Sequence, residues 1–169
     1  MVKKKYLIDT NVLATPYRSY YPFDFAPLFW EQMVPLIQNG TIVILDKVYE
    51  ELTKGTDELT DWLLKVAKDK IMTSKEEKIL LQYQDILTYI QDSSNYTDQA
   101  LRSWSSLETA DPWLIAAAKV HNYDIVTFET SAGKITNPSR NPKIPDVAKV
   151  FQVNYMNLFS LMRKEHFRI

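Results

Sequence analysis

The chain has 169 residues, 46% of them apolar, which excludes a disordered chain and suits one globular domain over residues 1–169. With only 3 glycines and no cysteine it offers no glycine-rich phosphate loop, thiol nucleophile, cysteine zinc site or disulfide. A net charge of −1 provides no global basic field, so a nucleic-acid ligand would need a local patch.

The N-terminus is basic, but only Tyr6-Leu7-Ile8 follows before Asp9. That is too short for the apolar core of a signal peptide. No run approaches the roughly 20 apolar residues of a membrane span, so no membrane association is expected and the cytoplasm is the expected compartment. Tyr6-Leu7-Ile8 instead reads as a short buried strand. An acid at its end is costly to bury unless a metal, a cation or hydrogen-bond donors meet it. Thr10 and Asn11 can fix that carboxylate or bond back to the turn.

Beyond Pro16 lies an aromatic stretch, Tyr17 to Phe25, which is either packing or a lid and base-stacking platform over a cleft. Asp24 is expected to cap a helix with Pro27 in its first turn, kinked or restarted at Pro35 and stopped by Asn39-Gly40. Thr41 to Leu45 reads as a second buried strand, again ending on an acid, Asp46. Lys47 to Lys54 reads as a helix with Val48, Glu51 and Leu52 on one inward face. Asp57 or Thr60 starts the next helix.

Ile71-Met72-Thr73 reads as a short strand, and Ser74 with Glu77 as a capping box for a helix over Lys75 to Gln91. Thr97 to Trp104 is a short helix. Asp111 at the N-cap and Pro112 at the first position open a nearly all-apolar helix to His121. Ile125 to Phe128 is a third core strand followed by an acid, Glu129. Ser131 to Lys143 is a polar loop, where Lys134, Arg140 and Lys143 are either phosphate contacts or solvated side chains. Ile144 to Ala148 starts a helix, Phe151-Gln152-Val153 is an edge strand, and Met156 to Lys164 is a closing helix.

This is an α/β pattern, with parallel strands joined by helices and a ligand cleft at their carboxyl ends. Asp9 and Glu129 then share one edge, and Asp111 and Glu51 sit on helices that can reach it. Nothing in the chain is a dedicated set of cationic partners for these four. Converging carboxylates repel, and an oxygen-seeking divalent cation, Mg²⁺ or Mn²⁺, resolves that. The blander readings are a strand terminator at Asp9, a helix cap at Asp111 and a loop acid at Glu129.

Asp9-Thr10-Asn11 after a strand, Val48-x-x-Glu51-Leu52, Asp111-Pro112-Trp113-Leu114-Ile115-Ala116-Ala117-Ala118 and Ile125-Val126-Thr127-Phe128-Glu129 occur in the order and spacing of the PIN-domain nucleases, and the chain resembles that superfamily over roughly Tyr6 to Val153. Tyr20-Tyr21-Pro22-Phe23-Asp24, Phe29-Trp30 and Ile144-Pro145-Asp146-Val147 also resemble an uncharacterised prokaryotic subfamily of PIN-like proteins. The resemblance implies a three-layer α/β/α fold with a mostly parallel central sheet. It implies RNA hydrolysis with Mg²⁺ or Mn²⁺, with metal positions at Asp9, Glu51, Asp111 and Glu129 and supporting positions at Asn11 and Thr127. Arg140 and Lys143 are the candidate RNA contacts. Many members are toxins of toxin–antitoxin pairs, so an antitoxin protein and a second copy of the chain are candidate partners. The last acid of the pattern is usually Asp; here it is Glu129, one methylene longer. The alternative is a PIN-like scaffold that binds RNA or protein without cutting. A phosphate-accepting receiver-like domain fits less well, because the helical block Asp57 to Trp104 breaks strict strand–helix alternation.

Overall fold

The computed structural model describes residues 2–169. Its sheet is built from β1 (Tyr6–Ile8), β2 (Ile42–Leu45), β3 (Ile71–Met72), β4 (Asp124–Val126) and β5 (Tyr155–Met156), in the order β3-β2-β1-β4-β5. Every pairing is parallel, with Leu7 opposite Val43 on one side and Ile125 on the other. All residues of β1 and β4 are buried, as expected of parallel strands covered on both faces.

The helices are α1 (Asn11–Thr15), α2 (Pro27–Gln38), α3 (Asp46–Leu52), α4 (Glu58–Ala67), α5 (Glu77–Asp92), α6 (Asp98–Trp104), α7 (Asp111–His121), α8 (Ile144–Val150) and α9 (Leu158–Lys164). A π-helical turn, Pro16–Tyr20, continues α1 and closes on a 2.7 Å bond from Tyr21 N–H to Pro16 O. The chain winds outward from β1 through β2 to β3, then returns through α5, α6 and α7 to lay β4 on the other side of β1. The direction of winding therefore reverses between β1 and β4, the switch point at whose carboxyl side such sheets bind their ligands. Helix α7 is buried from Pro112 to Ala118, and its three small alanines let it lie close against its neighbours. Trp113 stacks on Tyr83 of α5 with ring centroids 3.8 Å apart.

Several expected boundaries shift, each for a local reason. Asp24 does not cap α2; Ala26 precedes it, with Pro27 in its first turn. Pro35 does not restart the helix, which runs unbroken to Gln38. Asp57, not Thr60, caps α4, accepting from Thr60 N–H. Ser74 is not half of a capping box: its N–H and hydroxyl both turn back to Asp46 Oδ2, at 2.9 and 3.0 Å, and α5 starts beyond Glu76. Phe151-Gln152-Val153 is not a strand. Phe151 ends α8, Gln152 takes a positive φ of 58°, and the edge strand follows at Tyr155.

Candidate metal and nucleic-acid site

Asp9 leaves the end of β1 and is buried. Its Oδ1 accepts from the Thr10 N–H at 2.7 Å and its Oδ2 from the Thr127 hydroxyl at 2.8 Å. Thr127 is buried just beyond β4 and uses its hydroxyl fully. It donates to Asp9 and accepts from Glu129 N–H at 3.0 Å and from Asn11 Nδ2 at 3.4 Å. Asn11 also accepts from Phe128 N–H at 3.1 Å. One network thus stitches the end of β1 to the end of β4.

Asp111 is the first residue of α7 and not its cap; Ala110 precedes it in a helical conformation, and no side chain caps this end. A carboxylate there gains from the helix dipole, but burial and neighbours act against it. Burial first, then the negative charges of Asp9, Glu129 and Glu51, push the Asp111 carboxyl up to about 8, with Lys143 pulling the other way. Burial also dominates at Asp9, which stands at about 6 although Thr127 and Thr10 pull it down; Glu129 and Glu51 add to the rise. Glu51 and Glu129 therefore lie near enough to act on both Asp9 and Asp111, and Asp9 acts on Asp111.

Glu51 is exposed, against the expectation that it faces inward with the buried Val48 and Leu52. Its Oε2 accepts from the Thr10 hydroxyl at 2.8 Å, which holds it toward Asp9. Glu129 is half-buried, and its Oε2 accepts from the Ile144 N–H at 2.7 Å, at the start of α8. The ion pairs among the described residues join Lys3 to Glu165, Lys4 to Asp124, Lys54 to Glu108 and His121 to Glu76; none includes the four acids. Of the two expected RNA contacts, Lys143 lies close enough to influence Asp111, whereas Arg140 lines a separate surface groove with Gln99, Ser103 and Asn141.

The donor set is all oxygen, and its carboxylates repel one another without an ion-pair partner, which suits a hard divalent cation. Among the described residues no three acidic or imidazole groups stand where they could together hold a metal ion. Mg²⁺ does not require three, since it commonly keeps several waters and takes one or two carboxylates. Sequence reasoning missed the Ile144 tether of Glu129 and the reach of Lys143 to Asp111. Both depend on how the loop after β4 folds back, and no local pattern encodes that.

The family model described as Domain of unknown function (DUF4411) matches residues 6–169. The chain belongs to this family. No curated protein matches the sequence. Among solved structures, this DUF4411 member is similar to VapBC2 from Rickettsia felis, crystallised bound to a DNA fragment from their promoter, at 16% identity and a TM-score of 0.53, over 90% of this chain and 97% of that one. It is also similar to FitAcB from Neisseria gonorrhoeae, at 17% identity and a TM-score of 0.52, over 91% of this chain and 98% of that one. What they share is the fold, a PIN-like α/β architecture around a parallel sheet.

Proposed function

We propose that this DUF4411 protein is an endoribonuclease dependent on Mg²⁺ or Mn²⁺. The observation that carries the reading is the gathering of four acids near the β1/β4 reversal, where burial first, and then the charges of acidic neighbours, push Asp9 and Asp111 up to about 6 and about 8. A bound divalent cation would supply water activation and charge neutralisation at a phosphodiester. Asp9 and Asp111 would hold it directly, and Glu51 and Glu129, tethered by Thr10 and Ile144, would hold it through water. Thr127 and Asn11 fix the Asp9 carboxylate and the turn after β4. Lys143 stands where it can meet a backbone phosphate beside Asp111. Arg140 would contact the strand farther along. An antitoxin protein and a second copy of the chain are the proposed partners, on the resemblance to toxins of toxin–antitoxin pairs.

A scaffold that binds RNA without cutting is the second reading. It is favoured by the prior engagement of Glu51 and Glu129 with protein donors. Incubating end-labelled single-stranded RNA with the protein in Mn²⁺ and in EDTA separates the two. The nuclease reading predicts internal cuts in Mn²⁺ alone, without 2′,3′-cyclic phosphate ends, because the attacking group is water and not the 2′-hydroxyl. Binding without cuts under every cation tried supports the scaffold.

A further inference from the structure

Beside the acids lies a second feature, an open cleft of about 380 Å³ running from Thr127 and Glu129 to Asn157 and walled by Phe128, Phe159 and Tyr155. Tyr20 closes a three-ring cluster with Phe128 and Phe159; the centroid separations are 6.1 Å from Tyr20 to each and 5.8 Å between the two phenylalanines. Tyr155, a wall of the cleft that also holds Glu129, is 43% exposed, and Tyr20, packed against Phe128 and Phe159, is 48% exposed, so aromatic rings stand partly in water beside an acid. Tyr20 reaches the cluster at the end of the π-helical turn, a backbone form concentrated at functional sites. Phe128 is fixed from the acidic side, since its N–H is held by Asn11, which also reaches Thr127. Asn157 spends its Oδ1 on capping α9, accepting from Ser160 N–H at 2.8 Å, so its amide NH₂ is left as a donor at the rim.

We propose that this aromatic slot takes one unpaired nucleobase of the RNA strand, next to the phosphate held at the four acids; this rests on the nuclease reading above. Three features select that occupant. Aromatic walls stack on any base, and stacking is the common means of gripping single strands. The slot abuts the carboxylates, as a base must when its own phosphate lies at a cation there. The Asn157 amide is matched to the carbonyl or ring nitrogen of a base edge. A base inside a duplex has both faces stacked and its Watson–Crick edge paired, so the slot confines the enzyme to unpaired RNA.

The test uses short single-stranded RNAs carrying 2-aminopurine, or an abasic site, at successive positions. Binding is measured in Ca²⁺ and cleavage in Mn²⁺, with wild type, Tyr20→Ala, Tyr155→Ala, Phe159→Ala and Phe159→Trp, the folding of each checked by melting. The expected result is quenching of 2-aminopurine at one position beside the cut. Phe159→Ala should bind roughly 5- to 150-fold more weakly, the range of one lost stacking partner, and Phe159→Trp should bind near wild type. An abasic site at that position should cost wild type the same factor and cost Phe159→Ala nothing further. Tyr20→Ala, which removes a ring packed against Phe159 but outside the lining, should weaken binding by less; Tyr155→Ala, at an exposed lining side chain, gives the same answer as Phe159→Ala if that variant does not fold. Quenching and ring dependence without cleavage keep the slot and remove the nuclease reading. Cleavage with no position-dependent quenching, or with no abasic effect, removes the slot and keeps the nuclease; absence of binding removes the slot.

Discussion

The Thr127 hydroxyl donates to Asp9 Oδ2 at 2.8 Å, joining the ends of the two central strands through one proton. The same oxygen receives Glu129 N–H, so the position of the first acid and the path of the chain to the last are set by one side chain. Thr127→Val keeps the shape and removes the hydroxyl. It should destabilise the fold by about 1–3 kcal/mol, because a buried N–H loses its acceptor, and push the Asp9 carboxyl higher still. The Mn²⁺ concentration that gives half of the melting shift should rise roughly 10- to 100-fold. Thr127→Ser should behave like wild type. A valine variant with an unchanged Mn²⁺ response would separate Thr127 from the site.

Stability should depend on pH in a direction opposite to that of salt-bridged acids. The Asp9 and Asp111 carboxyls stand at about 6 and about 8 in the folded protein, against 3.8 ordinarily. Between those values the folded chain keeps protons that the unfolded chain has released. The stabilising contribution is therefore complete below pH 3.8 and is lost as pH rises through about 6 and about 8. Asp111→Asn removes the larger part. In EDTA the variant should melt close to wild type below pH 3.8 and increasingly above it as pH rises to about 8. A pure helix-dipole role predicts the reverse sign at high pH, since a favourable charge worth about 0.3–1 kcal/mol is lost. Mn²⁺ should raise the wild-type melting temperature by mass action and raise that of the variant less.

The two basic residues should part company. Lys143 acts on Asp111, whereas Arg140 lies in a different groove. Lys143→Ala should lower both cleavage and RNA affinity, and flatten the log–log salt dependence of binding by about 0.7, the value for one phosphate on a single strand. Arg140→Ala should leave the cleavage of bound RNA intact, changing affinity alone. Equal losses of cleavage in both would contradict the separation.

Much of this arrangement was legible in the chain because it rests on local chemistry. Short apolar runs ending in Asp9 and Thr127-Phe128-Glu129 read directly as buried strands delivering acids to one edge, and the structure pairs them as neighbours. Asp111-Pro112 announced a helix start, but not that Ala110 would already be helical, which makes Asp111 the first residue of the helix and not its cap. Helical spacing placed Glu51 with Val48 and Leu52, yet its side chain is exposed and held by the Thr10 hydroxyl, a partner distant in sequence that a period cannot show. Ser74 matched a capping pattern, but a distant carboxylate, Asp46, competed for its hydroxyl. The aromatic slot draws on three separate elements, and only the Tyr20 part of it stood out in one stretch.

If Asp9 holds the cation at which RNA is cut, its negative charge is indispensable. The direct measurement is Mn²⁺-dependent cleavage of single-stranded RNA by wild type and Asp9→Asn, prepared identically, with melting curves to establish folding. Asparagine keeps the size of the side chain and removes the negative charge. The account predicts a folded variant whose internal cuts are lost, with a reduced Mn²⁺ melting shift. An Asp9→Asn protein that cuts at the wild-type rate with the same Mn²⁺ dependence would contradict it.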